Sequence, residues 1–197
     1  MGIALASAFV LIVIVRAFHF YNLDKTNEQV EIIHNTKLQL SDVMGEDLPP
    51  DPGEEADKTV AGIDANRNGI RDDVELAIFA EYPNSAKTRA VLLQYALALQ
   101  MQFIQPIVNT ATATEVITEN SRAHTCVADI LVPRKSLESD RSDSEVNKIY
   151  EYIDFVESKQ FNNDARINAQ KDFYKYLRSY GNSTNEVCDI NISELKN

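Results

Sequence analysis

A twelve-residue segment in the first half of the chain carries side-chain oxygens at a regular spacing. Its constrained positions are Asp64, Asn66, Asn68, Gly69, Asp72 and Glu75. Calcium is a hard cation that takes six to eight oxygen ligands, so a chain that holds it must wrap around it. Alternating Asp and Asn side chains supply the first oxygens, and the glycine permits the sharp turn between them. The segment therefore predicts a calcium site.

Each remaining position of the segment has a defined part in such a site. Ile70 offers its backbone carbonyl while its side chain packs into the domain, and Asp72 binds the ion directly or through a water. Glu75, one turn into the following helix, closes the shell with two oxygens. Only Asp64, Asp72 and Glu75 bring charge. We therefore expect weak affinity, with a Kd of roughly 10⁻⁵ to 10⁻³ M.

The dodecapeptide resembles the calcium loop of EF-hands and, more loosely, the loops of dockerins and thrombospondin type-3 repeats. The resemblance covers about 12 residues of 197 and implies metal binding only. EF-hand loops usually carry an aliphatic residue at the eighth position, where this chain has Arg71, and the sequence contains no second loop. A paired calcium sensor is therefore not indicated. The alternative is an Asp- and Asn-rich turn that caps the helix after Asp72.

The N-terminal segment is apolar. Residues 3–15 contain no charge and no proline, and the stretch 3–21 is long enough to cross a bilayer if Arg16 and His19 reach toward the headgroups. Phe18, Phe20 and Tyr21 would then form an interfacial aromatic belt. We expect an uncleaved membrane anchor; a cleaved secretory signal and a buried helix of a soluble protein are the alternatives.

The chain has two cysteines, Cys126 and Cys188. A small, even number of cysteines in an exported domain predicts one disulfide. Two unrelated buried thiols are the main alternative. A metal or Cys/His site at His124-Thr-Cys126 is weaker, because no second pair of ligands accompanies it.

Composition excludes several classes of protein. The formal charge is -11, and 44% of the residues are hydrophobic. A chain this acidic is a poor nucleic-acid binder, and a chain this apolar can build a core. Between Glu46 and Tyr82 eleven acids face three basic residues, so the acidity concentrates around the predicted loop.

Helical periodicity accounts for most of the chain, and no stretch alternates like a strand. The pattern predicts helices over 22–44, 84–105, from after Pro106 to Ile130, 144–160 and 163–180. The first is amphipathic, a stalk or a helix packed on the domain. The second is the central core helix. The fold class is therefore all-α, an irregular bundle of four to six helices with the calcium loop as an insertion and an apolar membrane helix at the N-terminus.

The predicted organisation has four parts. Residues 1–21 form the anchor or signal segment and 22–45 the amphipathic helix. Residues 46–63, which include Leu48-Pro-Pro-Asp-Pro-Gly53, form an acidic linker, and 64–197 form the helical domain. The proline-rich lead LPPDPGEE before such a loop and helix is similar to exported bacterial proteins.

These features lead to a functional hypothesis. We expect a membrane-tethered domain outside the cytoplasm, in the periplasm of a bacterial host, that holds one structural calcium ion and binds another envelope component, such as a protein. The alternative is an exported hydrolase, although the sequence contains none of the motifs GxSxG, HExxH, GxxxxGK[ST] and GxGxxG. A cleft holding His124 with ordered acidic partners would favour the hydrolase; a solid bundle with one exposed apolar patch would favour the binding module.

Overall fold

The computed structural model describes residues 2–136, 139–179, 183 and 186–195, with side chains from residue 9 onward. Secondary structure in these residues is helical, with no strand, which confirms the predicted all-α class. Within these described residues, six α-helices have ten or more residues and one has five. They are α1 (Gly2–Asn35), α2 (Leu40–Met44), α3 (Asp72–Glu81), α4 (Ala86–Ile104), α5 (Thr110–Leu131), α6 (Asp143–Gln160) and α7 (Asp164–Tyr174), with 3-10 turns at Gly53–Asp57 and Ile192–Glu194.

Helix α4 is the centre of the bundle. Ser85 caps it by accepting a hydrogen bond from the backbone N–H of Thr88, and fifteen of its nineteen residues are buried. Helices α2, α3, α5, α6 and α7 all pack against it. Two of its buried amides find partners: Gln94 Nε2 donates to the Val187 carbonyl at 3.0 Å, and Gln100 Nε2 donates to the Ala61 carbonyl at 2.7 Å. The buried amide of Gln102 forms no hydrogen bond within the described residues. The predicted core helix is therefore confirmed.

The first helix differs in length from the predicted element. It is continuous from the apolar segment to Asn35, and a break at residues 36–39 separates it from α2. Ile33, Leu38 and Val43 are buried, and α1 packs on α5. The break lies where the backbone N–H of Leu38 donates to the Asp189 carboxylate at 3.0 Å, a contact with the far end of the chain.

The N-terminal part of α1 exposes its apolar side chains. All seven residues of 9–15 are at least 46% exposed, and Phe18, Phe20 and Tyr21 are at least 53% exposed. Among the side chains that the structure describes, no helix is long and apolar enough to cross a lipid bilayer.

The later helices begin at side-chain caps. Asn109 caps α5, and Ser142 with Glu145 forms a complete capping box at α6. Helix α7 begins after its cap Asn163 and ends at Tyr174, short of the predicted residue 180, which lies outside the described residues together with Gly181.

A disulfide joins Cys126 on α5 to Cys188, as predicted, with an S–S distance of 2.05 Å. It holds the segment 186–195 against the bundle. Buried charges hold the same segment, because Arg122 lies 2.6 Å from both the Glu119 and Asp189 carboxylates. The C-terminal segment is therefore packed against the domain core.

The acidic segment 46–63, predicted as a linker, is tied to the bundle. The guanidinium of Arg166 on α7 is fully buried and donates to the carbonyls of Ala56, Thr59 and Val60. It also forms an ion pair with Asp57. Ala56 is 4% exposed. These contacts fix the chain that leads into the predicted loop.

Candidate functional site

The predicted calcium loop folds around its own side-chain oxygens. The Asp64 carboxylate accepts hydrogen bonds from the backbone N–H groups of Asn68 at 3.1 Å and Gly69 at 2.9 Å. Asn68 Oδ1 accepts from the Ile70 N–H at 2.8 Å, and Asn66 Oδ1 accepts from the Asn68 N–H at 3.4 Å. The first three predicted ligands are therefore turned toward the inside of one tight loop.

Glycine is required in this turn for two reasons. Gly69 has a φ of +84°, which L side chains rarely adopt. A Cβ at this position would also lie 2.7 Å from Leu97 Cδ1 on α4. The loop is thus pressed against the core helix, and the fully buried Ile70 side chain anchors it there.

The acidic end of the loop meets its beginning. The Asp72 carboxylate accepts from the Ala65 N–H at 3.0 and 3.2 Å, and Glu75 Oε2 accepts from Asn66 Nδ2 at 3.1 Å. Asp72 therefore bonds back across the loop, whereas a helix-capping turn would aim it at the amides of α3. The cap position of α3 is Arg71, which makes no side-chain cap. This arrangement disfavours the alternative of a simple capping turn.

Burial changes the acidity of the loop carboxyls. Asp72 and Glu75 are each 1% exposed. Burial raises the pKa of Glu75 to about 7; the Asn66 hydrogen bond opposes this shift, and the charges of Asp42 and Asp72 add to it. Burial likewise raises the pKa of Asp72 and of Asp42, and the Asp64 charge adds to both shifts. The carboxyl groups of Asp42, Asp72 and Glu75 therefore lie close together where water solvates them poorly.

The loop carboxylates lack the basic partners that other buried acids have. Glu119 and Asp189, each with a 1% exposed side chain, are paired with Arg122 and Lys37. In the part of the chain that the structure describes, Asp72 and Glu75 form no ion pair. Buried carboxylates without a cation are costly. Their donor set, carboxylates with amide oxygens, is the one that calcium prefers.

No group of three or more His, Cys, Asp or Glu side chains among the described residues is arranged to hold a metal ion. Two of the six predicted ligands are asparagine amides and one is the Ile70 carbonyl. Asn66 presents its nitrogen to Glu75, so an ion bound by both side chains would replace this hydrogen bond. The predicted ligands lie in one loop, and their closure around an ion remains a prediction.

Asp42 is a neighbour of this site that the sequence did not reveal. It belongs to α2 and contributes to the raised pKa of Glu75. Together with Asn66 and Asn68 it lines a polar cavity of about 430 Å³ beside the loop. Its carboxylate accepts a hydrogen bond from the Gln39 N–H at the start of α2, which is the contact expected of a helix-capping residue. No spacing in the sequence connects residue 42 to residue 64.

Arg71 connects the loop to α6. It stands at the position where EF-hand loops carry an aliphatic residue. It is fully buried, pairs with Asp73 at 2.6 Å, and donates to the carbonyls of Lys159 and Gln160 at the end of α6. A cation at the C-terminal end of a helix satisfies carbonyls that have no helical partner. Arg71 thus joins the loop to α6.

A second candidate site lies between α5 and α6, away from the loop. It is a cleft of about 930 Å³ with His124 on its wall. Burial lowers the pKa of His124, so its imidazole is neutral at pH 7. Asp129 and Asp140 also line the cleft, and Asp129 is paired with Arg141 at 2.6 Å. The cleft with His124 that was expected of a hydrolase is therefore present, together with acidic residues on its wall.

The cleft lacks the contacts of an activated nucleophile. Ser136 and Thr125 line it, but within the described residues neither hydroxyl forms a hydrogen bond with His124. Thr125 Oγ1 donates instead to the Ser121 carbonyl at 2.9 Å. Nucleophilic catalysis needs such a pair and a group that orients the base.

Comparison of the chain with protein-family models, with curated proteins and with solved structures found no match. The functional argument therefore depends on the geometry of the loop and the cleft.

The raised pKa of Glu75 predicts how the stability of the calcium-free protein, measured in EDTA, depends on pH. The pKa of Glu75, about 7, lies above its ordinary value of 4.5, so the folded protein binds the proton more tightly than the unfolded chain does. The stabilisation is complete below pH 4.5 and is lost as the pH rises through 7. We expect the free energy of unfolding to fall from pH 5 to 8, with Glu75 contributing about 3 kcal/mol.

Urea unfolding at pH 5, 6.5 and 8 measures this slope. Glu75→Gln, which removes the titrating group, should flatten it. Glu81→Gln, at the exposed end of the same helix, should leave it unchanged. Equal slopes in the parent and Glu75→Gln would contradict the buried, unpaired state of Glu75.

Proposed function

We propose that this protein is a membrane-tethered helical domain outside the cytoplasm, in which one structural calcium ion fixes the segment 64–75, and that it binds another component of the cell envelope. Asp64, Asn66, Asn68, the Ile70 carbonyl, Asp72 and Glu75 would hold the ion. The observation that carries the proposal is the pair of buried side chains, Asp72 and Glu75, in a loop of inward-facing oxygens, where neither acid forms an ion pair within the described residues.

The bound ion would have a mechanical consequence. The loop leads into α3, and Arg71 within it bonds to the end of α6. The preceding segment is held by Arg166 from α7. An ion that draws Asp64 and Glu75 together would therefore stiffen the contact among three helices. It acts on a surface already formed, which distinguishes it from a sensor that opens on binding calcium.

Location outside the cytoplasm has two supports. The Cys126–Cys188 disulfide is typical of oxidising compartments. A loop with a Kd near 10⁻⁵ to 10⁻³ M fills only where calcium is abundant. The proposed partner and the periplasmic setting of a bacterial host follow from this location.

Calcium should stabilise the folded protein through Glu75. We expect 5 mM calcium, well above the proposed Kd range, to raise the Tm by several degrees relative to EDTA, since a ligand that binds only the native state adds RT ln(1 + [L]/Kd) to stability. Calorimetric scans of the parent and of Glu75→Gln measure the effect. The variant should show no rise, and Glu81→Gln should show the full rise. Equal Tm values of the parent with calcium and with chelator would refute the metal proposal.

Membrane attachment is proposed through residues 3–21, because the described part of this segment exposes consecutive apolar side chains. Replacement of two exposed side chains, Val10→Asp with Ile14→Asp, should abolish flotation of the full chain with lipid vesicles, since buried aspartate is costly in hydrocarbon. Tyr176→Asp, an exposed change elsewhere, is the control. Flotation of the double variant equal to that of the parent would refute the anchor.

An exported hydrolase is the second candidate, and the specific observation that favours it is that His124 and Asp129 line the same cleft. Hydrolysis of a generic ester that disappears in His124→Gln would support this candidate over the binding module.

A further inference from the structure

The cleft between α5 and α6 has an apolar base and a polar rim. Ala128 and Ile149 are 5% and 6% exposed and form part of its wall with Val146. The phenol of Tyr150, 53% exposed, stands on the α6 side. A concave volume of about 930 Å³ is of the size that encloses small organic ligands. A ligand that fits the apolar base of this cleft would therefore have an apolar main part.

Two charges on the rim are free to meet a ligand. Arg134 and Asp140 both line the cleft, and neither side chain forms an ion pair or hydrogen bond within the residues that the structure describes. The other two charged groups on the wall, Asp129 and Arg141, are already paired with each other. The available rim charges are therefore one positive and one negative.

We propose that this cleft binds a zwitterionic ligand with an apolar body, and that a short apolar peptide with free ends is such a ligand. Arg134 would meet the carboxylate and Asp140 the ammonium, because each is the complementary unpaired charge on the rim. The neutral His124 imidazole adds a hydrogen-bonding group without adding charge. The site is separate from the calcium loop, so it extends the proposed function without resting on it.

Isothermal titration with the tripeptide Leu-Leu-Phe tests the proposal on the full chain. We expect binding with a Kd below about 1 mM, in calcium and in EDTA alike. N-terminal acetylation and C-terminal amidation of the peptide should each weaken binding at least about threefold, which corresponds to one exposed ion pair. Binding in EDTA separates this result from any failure of the metal site.

Matched variants assign the two charges. Asp140→Asn should weaken binding of the free peptide and no longer distinguish it from the acetylated form. Arg134→Gln should do the same for the amidated form, and Arg178→Gln, exposed on a different part of the chain, should bind as the parent does. Val146→Phe, which narrows the cleft, should weaken binding. If Val146→Phe does not fold, the two rim variants decide the matter.

Three results would overturn the proposal. The first is the absence of binding up to 10 mM peptide, about ten times the expected limit. The second is equal affinity for the free and the doubly blocked peptide, and the third is that Asp140→Asn still binds the free peptide better than the acetylated one, or Arg134→Gln better than the amidated one.

Discussion

Arg122→Met is expected to lower the free energy of unfolding by about 3–5 kcal/mol, because it leaves two buried carboxylates without their main partner. Arg122 lies 2.6 Å from both Glu119 and Asp189, and the side chains of these acids are 1% exposed. Lys37 contacts the same pair, at 2.8 Å from Glu119 and 3.7 Å from Asp189. One lysine cannot replace the guanidinium, which also donates to the Glu186 and Val187 carbonyls.

Urea unfolding at constant calcium measures the loss. The triple variant Arg122→Met/Glu119→Gln/Asp189→Asn should recover part of it, since no buried charge is then left unpaired. Arg178→Met, at an exposed position, should remain within about 0.5 kcal/mol of the parent. A loss below about 1 kcal/mol in Arg122→Met would mean that water solvates these acids, contrary to the burial described above.

The double variant Cys126→Ala/Cys188→Ala is expected to lose about 4 kcal/mol. The disulfide closes a loop with a sequence separation of 62 residues, and the chain-entropy model assigns a stabilisation of this size to such a loop. Equilibrium unfolding in urea gives the value. Reduction of the parent protein should produce the same loss, and reduction of the double variant should change nothing. Equal stability of the oxidised and reduced parent would contradict the assigned loop closure.

The sequence predicted the elements whose determinants are local. The hydrophobic pattern predicted a core helix over 84–105 and a further helix over 144–160, close to the observed α4 and α6. In both cases the signal lies within a few residues of the element it controls. The same holds for the loop 64–75, whose turn geometry depends on its own Asx side chains and on Gly69.

Long-range contacts account for what the sequence did not predict. The sequence indicated no partner for Arg71 or Arg166, and both are fully buried because they bond to carbonyls about 90 to 110 residues away. The break between α1 and α2 contains Leu38, whose backbone N–H bonds to Asp189, 151 residues later. Asp42 reaches the loop only through the packing of α2. No local spacing encodes these partners.

The acidic segment before the loop is also positioned by contacts that its own sequence does not predict. Prolines and acids at 46–57 are typical of a solvated linker. The 3-10 turn at Gly53–Asp57 is nevertheless held by the buried Arg166 of α7 and by the side-chain amides of Asn162 and Asn163, which donate to Asp57. Composition thus described the character of the segment, whereas side chains about 40 to 110 residues away hold it in place.

Calcium titration into the purified protein by isothermal calorimetry is the most direct test of the central claim. Starting from protein freed of divalent ions at pH 7.5, we expect one site per chain with a Kd of roughly 10⁻⁵ to 10⁻³ M, lost in Glu75→Gln and retained in Glu81→Gln. A flat titration of the parent at millimolar calcium, or an identical isotherm for Glu75→Gln, would contradict the claim that Asp64, Asp72 and Glu75 hold a metal ion.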